Sequence, residues 1–338
     1  MDRQDKKTFV ANLKEVFNTS AVVVVAQNTG LTVSEMNELR SAMREAGGQI
    51  KVIKNKLTKS TMKLVDESEF KKLLSNLKIE ETISGGSVAN SIVGLSQLGN
   101  KVGFIGKVSD DNLGNKYEEG LTKEKVKYLY VKKKEATPTG TCLILITPDS
   151  ERTMCTFLGT AGKINENDVD TNAIKQSEII LLEGYLWDEG DPKKAFDKAI
   201  TNANKVAMSL SDQFCVDRHK PHFLELVKNK LDITFANEQE IMSLIDAKSF
   251  ENVINFAKEL KKLLVITRGE KGAISINGSE ITECGIKKNL KIVDLTGAGD
   301  LFAAGFLHGH VNNMSQKECL EKGTEMSSKV IQQIGARI

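Results

Sequence analysis

Short apolar, β-branched runs alternate with stretches of helical periodicity in the second half of the chain, and this alternation restricts the fold more than any other feature. The pattern predicts strands over 178–185, 205–210, 233–236, 263–267 and 273–276, with helices between most of them. Strands that alternate with helices usually pair in parallel, and a parallel sheet needs helices on both faces. The sequence therefore predicts an α/β fold whose ligands bind beyond the carboxyl ends of the strands.

A glycine-rich stretch at 291–305, KIVDLTGAGDLFAAG, carries the clearest chemical signal. It predicts a short strand at Ile292 and Val293, a tight turn, and a helix that begins at about Asp300. The two glycines of the turn expose backbone amides at a helix N-terminus, where the helix dipole also favours an anion. A carboxylate beside such a site can accept a hydroxyl proton during phosphoryl transfer. The spacing alone is equally consistent with a plain N-cap aspartate.

The string DLTGAGDLFAAG resembles the C-terminal signature of the ribokinase/PfkB family of sugar and nucleoside kinases, D-T-x-G-A-G-D-x-F-x-x-G. The resemblance implies a ribokinase-like fold: a mainly parallel sheet flanked by helices, with a small β lid. It also implies that Asp300 is the catalytic base. The amides of Gly297, Ala298 and Gly299 would then form the anion hole. Leu295 departs from the pattern, because the family usually has Thr there.

Residues 80–90, EETISGGSVAN, resemble the first signature of the same family, G-G-x-x-x-N, which lies against the ribose of the substrate. The resemblance assigns substrate binding to Gly85, Gly86 and Asn90. Taken alone, a Gly-Gly pair is more often just a turn. Downstream, residues 101–108 are predicted to form a strand.

Residues 137–157 predict a β-hairpin around Pro148 and Asp149. In adenosine-kinase-like members of the family, the corresponding strands help to form the lid and line the substrate site. An arginine like Arg152 approaches the phosphates in those proteins. The alternative for Arg152 is a charged residue at the tip of a hairpin.

Two further motifs point to the nucleotide. Asn237-Glu-Gln-Glu240 resembles the family's N-x-x-E motif, which positions Mg²⁺ through water, and an amide with one carboxylate suits a metal that keeps most of its waters. Without the family it would be interpreted as a helix N-cap. Residues 267–272 resemble the T-x-G-x-x-G turn that contacts ATP through Thr267, Gly269 and Gly272; the glycines are equally consistent with a hairpin turn.

The first 60 residues have a different character. Residues 1–63 contain 11 Lys or Arg against 6 Asp or Glu, whereas the whole chain has a net charge of +2. Residues 1–60 resemble the start of the bacterial ribosomal stalk-base protein, large-subunit protein ten, and are expected to form an α/β segment. The resemblance implies binding of ribosomal RNA through basic residues, with candidates at Arg3, Lys6, Lys7, Lys54 and Lys56. Because the match stops before that domain would be complete, the alternative is a solvated basic face that binds no RNA.

The two resemblances predict two domains, a ribosomal-protein-like segment at 1–60 and a kinase domain at 61–338. The kinase family normally opens with a strand that ends in G-N-x-x-x-D, whose aspartate holds the substrate hydroxyls. No such motif occurs before Gly85, and no Asp lies between Gln27 and Thr61. The kinase domain is therefore expected to lack its usual first strand, as in a gene fusion or a chimera of two sequences.

The resulting prediction is an ATP- and Mg²⁺-dependent kinase that phosphorylates a hydroxyl of a nucleoside. Adenosine is favoured because residues 84–99, 138–159 and 212–219 resemble nucleoside kinases. A sugar kinase is the alternative within the family, and an inactive kinase scaffold carrying an RNA-binding fragment is the alternative outside it. The monomer and the homodimer are both open.

Scattered cysteines, charged first residues and the lack of an apolar run of about 20 residues predict a cytoplasmic protein without a signal peptide or membrane span.

Overall fold

The computed structural model describes residues 62–75, 77, 79, 81–130, 132–146, 152–188 and 192–338. All of them belong to the second of the two units into which the chain divides, Thr58–Ile338. The predictions made for residues 1–60, including the RNA-binding candidates, therefore lie outside the described residues, as does the predicted turn at Pro148 and Asp149.

A six-stranded sheet forms the centre of this unit, with the strand order β11-β10-β9-β8-β7-β6. The four strands from β6 to β9 are parallel to one another, and β10 and β11 extend the sheet in antiparallel fashion. The prediction of a predominantly parallel sheet is thus confirmed. The strands are β6 Ile180–Glu183, β7 Val206–Ser209, β8 Ile233–Asn237, β9 Leu263–Thr267, β10 Ala273–Asn277 and β11 Glu280–Cys284.

Both faces of the sheet are covered over strands β6 to β10, which explains why these strands are largely apolar rather than alternating. The edge strand β11 is mostly exposed and contains polar residues. On strand β9, Leu264 and Ile266 pack into one apolar cluster, and Leu263 and Val265 pack into another on the opposite face. The first face is covered by α5 Pro192–Asn202, α6 Gln213–Asn229, α7 Glu238–Leu244 and α8 Phe250–Leu260. The second face is covered by α9 Ala298–Val311 and α10 Gln316–Val330.

A smaller sheet has the order β1-β5-β4, with strands β1 Met62–Leu64, β4 Thr141–Ile146 and β5 Arg152–Phe157. Strands β4 and β5 pair antiparallel with Ile146 opposite Arg152, so the predicted hairpin strands are confirmed. Val65, Leu143 and Cys155 form a separate apolar cluster there.

The remaining elements are α1 Glu67–Leu74, α2 Ser87–Gln97, α3 Asn112–Lys123, α4 Thr171–Gln176 and the parallel pair β2 Gly103–Phe104 and β3 Lys127–Tyr128. The strand predicted over 101–108 is therefore much too long.

The sequence prediction also fails just before α9. Ile292 and Val293 form no strand; instead, the Val293 amide donates to the carbonyl of Ile331, just after α10, over 2.8 Å. Helix α9 begins at Ala298 rather than Asp300, because the glycine turn passes directly into the helix. In the part of the chain that the structure describes, no helix is long and apolar enough to cross a membrane.

Candidate active site

The loop before α9 is fixed by a buried carboxylate. Asp294 is only 2% exposed. Its Oδ1 accepts hydrogen bonds from the amide of Thr296 at 2.9 Å and from the hydroxyl of the same residue at 2.7 Å. Its Oδ2 accepts from the Gly335 amide at 3.0 Å. The loop is thereby tied to the C-terminal tail of the chain, a link that the sequence analysis did not foresee.

The two glycines of the turn have different surroundings. Gly297 has a φ of +77°, and a Cβ there would lie 2.7 Å from the Cα of Ala336. A Cβ on Gly299 would meet nothing within 4 Å. The Ala298 amide donates to the carbonyl of Leu295 at 3.3 Å, whereas the Gly299 amide has no hydrogen-bond partner among the described residues. The Gly297 amide likewise has none there. Of the two glycines, Gly299 is the one with open space at its Cβ position.

Asp300 is the third residue of α9 and lies against the start of α2. Its Oδ1 accepts from the hydroxyl of Ser87 at 3.1 Å, and its Oδ2 accepts from the side-chain amide of Asn90 at 2.9 Å. The hydroxyl of Ser91 donates to the backbone carbonyl of Asp300 at 2.9 Å. The structure therefore brings together the two signature motifs, which are about 200 residues apart in the sequence.

The first signature forms a turn that leads into α2. Gly86 has a φ of +101°, a conformation that favours glycine, and a Cβ on Gly85 would meet nothing within 4 Å. Asn90 is 4% exposed, so its amide is held in place. Its Oδ1 accepts from Nε of Arg337 at 3.1 Å, and a terminal nitrogen of the same guanidinium donates to the carbonyl of Gly85 at 3.2 Å.

A second carboxyl group, which the sequence analysis missed, lies near Asp300. Glu183 is the last residue of β6, and its Oε2 accepts from the Val88 amide in the first turn of α2 at 3.1 Å. Burial raises the pKa of Glu183 to about 7; the hydrogen bond from Val88 opposes this rise, and the charge of Asp300 adds to it. Helix α2 follows Gly86, which has no side chain to cap it. Glu183 provides this cap from β6 by accepting from the Val88 amide.

The two nucleotide motifs lie at the ends of neighbouring strands, because Asn237 of β8 is opposite Thr267 of β9. Asn237 is the N-cap of α7 and forms a capping box with Glu240. The two oxygens of Glu240 accept from the side-chain amide and the backbone amide of Asn237, at 2.6 and 2.9 Å. Burial raises the pKa of Glu240 to about 7, opposed by the hydrogen bond from Asn237 and increased by the charge of Asp212.

This geometry limits how Asn237 and Glu240 could hold a metal. Both oxygens of Glu240 already accept a hydrogen bond, and no cluster of three or more His, Cys, Asp or Glu side chains suited to a metal occurs among the described residues. The residues fit a Mg²⁺ ion that is bound through its water molecules, and they do not form a direct cage.

Residues 268–272 connect β9 to the antiparallel β10, so the predicted ATP-contacting turn is also a hairpin turn. Gly269 and Gly272 have φ values of +56° and +83°, and a Cβ on Gly272 would lie 2.0 Å from the Cys284 carbonyl oxygen. Beyond Cys284 and Gly285 lies a cavity of about 480 Å³, which is also lined by Thr324 and other residues of α10. Gly272 thus allows the turn to pack directly against the wall of this cavity, whereas a Cβ on Gly269 would meet nothing within 4 Å.

Arg152 is the first residue of β5, and its side chain is outside the described residues. Its predicted approach to the phosphates stays a prediction. Burial raises the pKa of the Tyr185 hydroxyl well above its usual range, and the charges of Asp212, Asp300 and Glu240 add to this rise. Tyr185 therefore lies within electrostatic range of both groups of motifs.

The chain is similar to known kinases in both sequence and structure. The family model described as pfkB family carbohydrate kinase matches residues 58–338, and the model for ribosomal protein L10 matches residues 1–87. An adenosine kinase from Sinorhizobium meliloti has a solved structure that is similar with a TM-score of 0.80 and 34% identity, covering 88% of this chain and 90% of that one.

Other relatives are sugar kinases by name. The structure of a probable sugar kinase from Rhizobium etli is similar with a TM-score of 0.79 and 35% identity, covering 82% of this chain and 86% of that one. A 5-dehydro-2-deoxygluconokinase from Geobacillus kaustophilus is 26% identical over 75% of this chain and 82% of its own length. With its ribokinase-like fold, the chain belongs to the pfkB family of carbohydrate kinases, ATP-dependent phosphotransferases that have an alcohol group as acceptor.

Proposed function

We propose that the chain phosphorylates a hydroxyl of a nucleoside, with adenosine as the favoured acceptor and Asp300 as the general base. The observation that carries this proposal is the position of the Asp300 carboxylate. It lies at the N-terminus of α9 and is oriented by Ser87 and Asn90, which belong to the start of α2 where the substrate signature lies.

The hydrogen bonds to Asp300 orient it for its proposed role as a proton acceptor. The hydroxyl of Ser87 and the amide of Asn90 both donate to the carboxylate and fix its direction. An ionised carboxylate next to the acceptor hydroxyl takes up the proton as the oxygen attacks the γ-phosphoryl group. The two donors therefore serve catalysis by orientation.

The turn before Asp300 supplies the charge stabilisation. Backbone amides at the N-terminus of α9 and the positive end of the helix dipole favour negative charge on the transferred phosphoryl group. The open space at Gly299 lets an oxygen approach the backbone closely. Gly297 supplies the left-handed conformation that the turn requires.

ATP is proposed to bind across the ends of β8 and β9. Thr267, Gly269 and Gly272 would contact the nucleotide, and the cavity behind Gly272 has the size of a small-molecule site. Asn237 and Glu240 would hold Mg²⁺ through water. When bound, this ion neutralises charge on the phosphates.

The adenosine kinase from Sinorhizobium meliloti, 34% identical over 88% of this chain, supports adenosine, but the probable sugar kinase from Rhizobium etli is 35% identical over 82% of this chain. Our preference for adenosine therefore rests on the segments of the sequence that resemble nucleoside kinases. A sugar kinase is the second candidate, because the curated relatives named 5-dehydro-2-deoxygluconokinase are 25–27% identical over similar lengths. Both candidates use the same base and the same anion site.

A panel of acceptors tests the proposal. Purified full-length chain is incubated with ATP and Mg²⁺ and, separately, adenosine, ribose, fructose or 5-dehydro-2-deoxygluconate, and the phosphorylated product is measured. The Asp300→Asn variant gives the background rate. The highest kcat/KM is expected with adenosine. A clear preference for the gluconate derivative would replace the nucleoside proposal by the sugar-kinase candidate, and no product from any acceptor would refute kinase activity on these substrates.

A further inference from the structure

The C-terminal tail returns to the candidate active site and contacts it at three points. The Gly335 amide donates to the buried carboxylate of Asp294. Ala336 lies against Gly297 so closely that a Cβ on that glycine would be 2.7 Å from the Ala336 Cα. Arg337 then reaches α2, where its guanidinium donates to Oδ1 of Asn90 and to the carbonyl of Gly85.

The contact between Arg337 and Asn90 decides which end of the Asn90 amide faces Asp300. A side-chain amide has an oxygen that accepts and a nitrogen that donates, while a guanidinium can only donate. Because Arg337 donates to the oxygen at 3.1 Å, the nitrogen is directed to Asp300, to which it donates at 2.9 Å. The chain Arg337–Asn90–Asp300 thus has one consistent direction of hydrogen bonding.

Arg337 is itself held in place. One guanidinium binds both Asn90 and Gly85, and the hydroxyl of Tyr117 lies close to it. The planar fork of arginine can make such contacts simultaneously, which a lysine ammonium on a flexible stem does not reproduce. The charge of Arg337 also interacts favourably with Asp300.

We propose that Arg337 is a positioning residue of the phosphoryl transfer, which fixes the amide of Asn90 and, through it, the carboxylate of Asp300 in the direction needed to accept the acceptor's proton. The proposal rests on the proposed role of Asp300 as the base. It concerns the orientation of the base and assigns Arg337 no contact with substrate.

The first test compares kcat, the acceptor KM and the Kd of ATP in three variants of the full chain. Arg337→Ala is expected to lower kcat by about 10- to 100-fold, the usual loss when support behind a reacting group is removed, with little change in the Kd of ATP. Arg337→Lys keeps the charge but not the fork, and should recover only a minor part of the loss. It also serves as the readout if Arg337→Ala does not fold.

Gln97→Ala is the matched control. The side-chain amide of Gln97 donates to the carbonyl of Ile338 at 2.7 Å, so this variant loosens the same tail without touching Asn90. Its kcat should stay within about twofold of the wild type, since no group that orients Asp300 is removed. An equal loss in Gln97→Ala and Arg337→Ala would show that only anchoring of the tail matters and would overturn the proposal.

A double-mutant cycle separates positioning from a general structural role. If Arg337 acts through Asn90, adding Arg337→Ala to Asn90→Ala should lower kcat by less than about twofold further, because the link is already broken. Added guanidinium at millimolar concentration should partly restore the kcat of Arg337→Ala but not of the double variant. Two results would overturn this inference alone. One is a double variant in which the losses in kcat of the two single variants multiply, and the other is a wild-type kcat for Arg337→Ala. A wild-type chain without any transfer would overturn the proposed function as well.

Discussion

Helices α7 and α9 both carry an acidic residue at their third position, Glu240 and Asp300, yet the two helices begin in opposite ways. In α7 the carboxylate turns back to its own N-cap, and both of its oxygens accept from Asn237. In α9 the N-cap is Gly297, which has no side chain, and the carboxylate instead accepts from Ser87 and Asn90 of another helix. The N-terminus of α7 is therefore capped by side chains of the helix itself, whereas the N-terminus of α9 has no side-chain cap.

The difference shows how the same local residue type comes to have different chemistry. A capping box satisfies the first amides of a helix and stabilises it, which leaves fewer donors for a ligand. A glycine cap leaves those amides available, and the carboxylate must then be oriented by tertiary contacts. Helix α2 is intermediate, since it follows Gly86 but receives the carboxylate of Glu183 from strand β6 at its Val88 amide.

The largest effect on kcat is expected for a change of Asp300, and it distinguishes this residue from Glu240. Asp300→Asn should lower kcat by about 10²-fold or more, because the amide cannot accept the hydroxyl proton, while the affinity for ATP changes little. Steady-state kinetics with the best acceptor and direct titration of ATP measure the two quantities.

The matched control for this variant is Glu69→Gln, an exposed acid at the third position of α1. It should turn over at the wild-type rate. If Asp300→Asn keeps the wild-type kcat, Asp300 has only a structural role in joining α9 to α2, and the contrast between the two helices has no catalytic meaning.

The two glycines of the open turn are expected to respond differently to a methyl group. Gly299→Ala places the Cβ in open space, so the folded state should keep its stability, while binding of ATP and turnover fall by about 10-fold because the methyl group occupies the approach to the amide. Kinetics and thermal unfolding of the same preparation give both readouts.

Gly297→Ala is the counterpart, in which stability itself should fall. The left-handed conformation costs a residue with a Cβ about 1–2 kcal/mol, and the contact with Ala336 adds to this cost. Its melting temperature should therefore drop relative to Gly299→Ala. Equal thermal stability of the two variants would argue against the described turn.

The main sheet and part of the surroundings of Asp300 could be predicted from local sequence patterns. Strands β6 to β9 are apolar runs, since both of their faces are covered, and Asp300 and Asn90 belong to motifs that are recognisable as strings. The apolar pair at Ile292 and Val293 misled the prediction because it resembles a strand end. Its backbone instead bonds to the segment after α10, which only tertiary structure decides.

The residues that the sequence did not reveal act through contacts over long distances in the chain. Glu183 is a single acid at the end of a strand, and it meets Val88 across 95 residues. Arg337 is a lone cation near the end of the chain, and it meets Asn90 across 247 residues. Neither has a local pattern, so their roles follow only from the fold.

A smaller effect is expected at α7, the helix with the capping box. Glu240→Gln should raise the Mg²⁺ concentration required for half-maximal activity by several-fold, because a neutral amide holds the waters of a metal less firmly than a carboxylate does. The acceptor KM should stay near the wild-type value. A Mg²⁺ titration that superimposes on the wild type would leave Glu240 as a helix cap alone, which would make the contrast with Asp300 complete.

The smallest effect concerns Glu183, the acid that caps α2 from outside. Its pKa rises from an ordinary value of 4.5 to about 7 in the folded chain, so between these pH values the unfolded chain binds fewer protons and the folded state loses stability as the pH rises. Glu183→Gln removes this titration and retains an oxygen that can accept from Val88. The variant should melt above the wild type at pH 8, by about 2–4 °C for each kcal/mol relieved, and the difference should disappear near pH 5. If the difference in melting temperature is the same at pH 5 and pH 8, Glu183 is ionised at both pH values. The hydrogen bond from Val88 would then offset the effect of burial on its pKa.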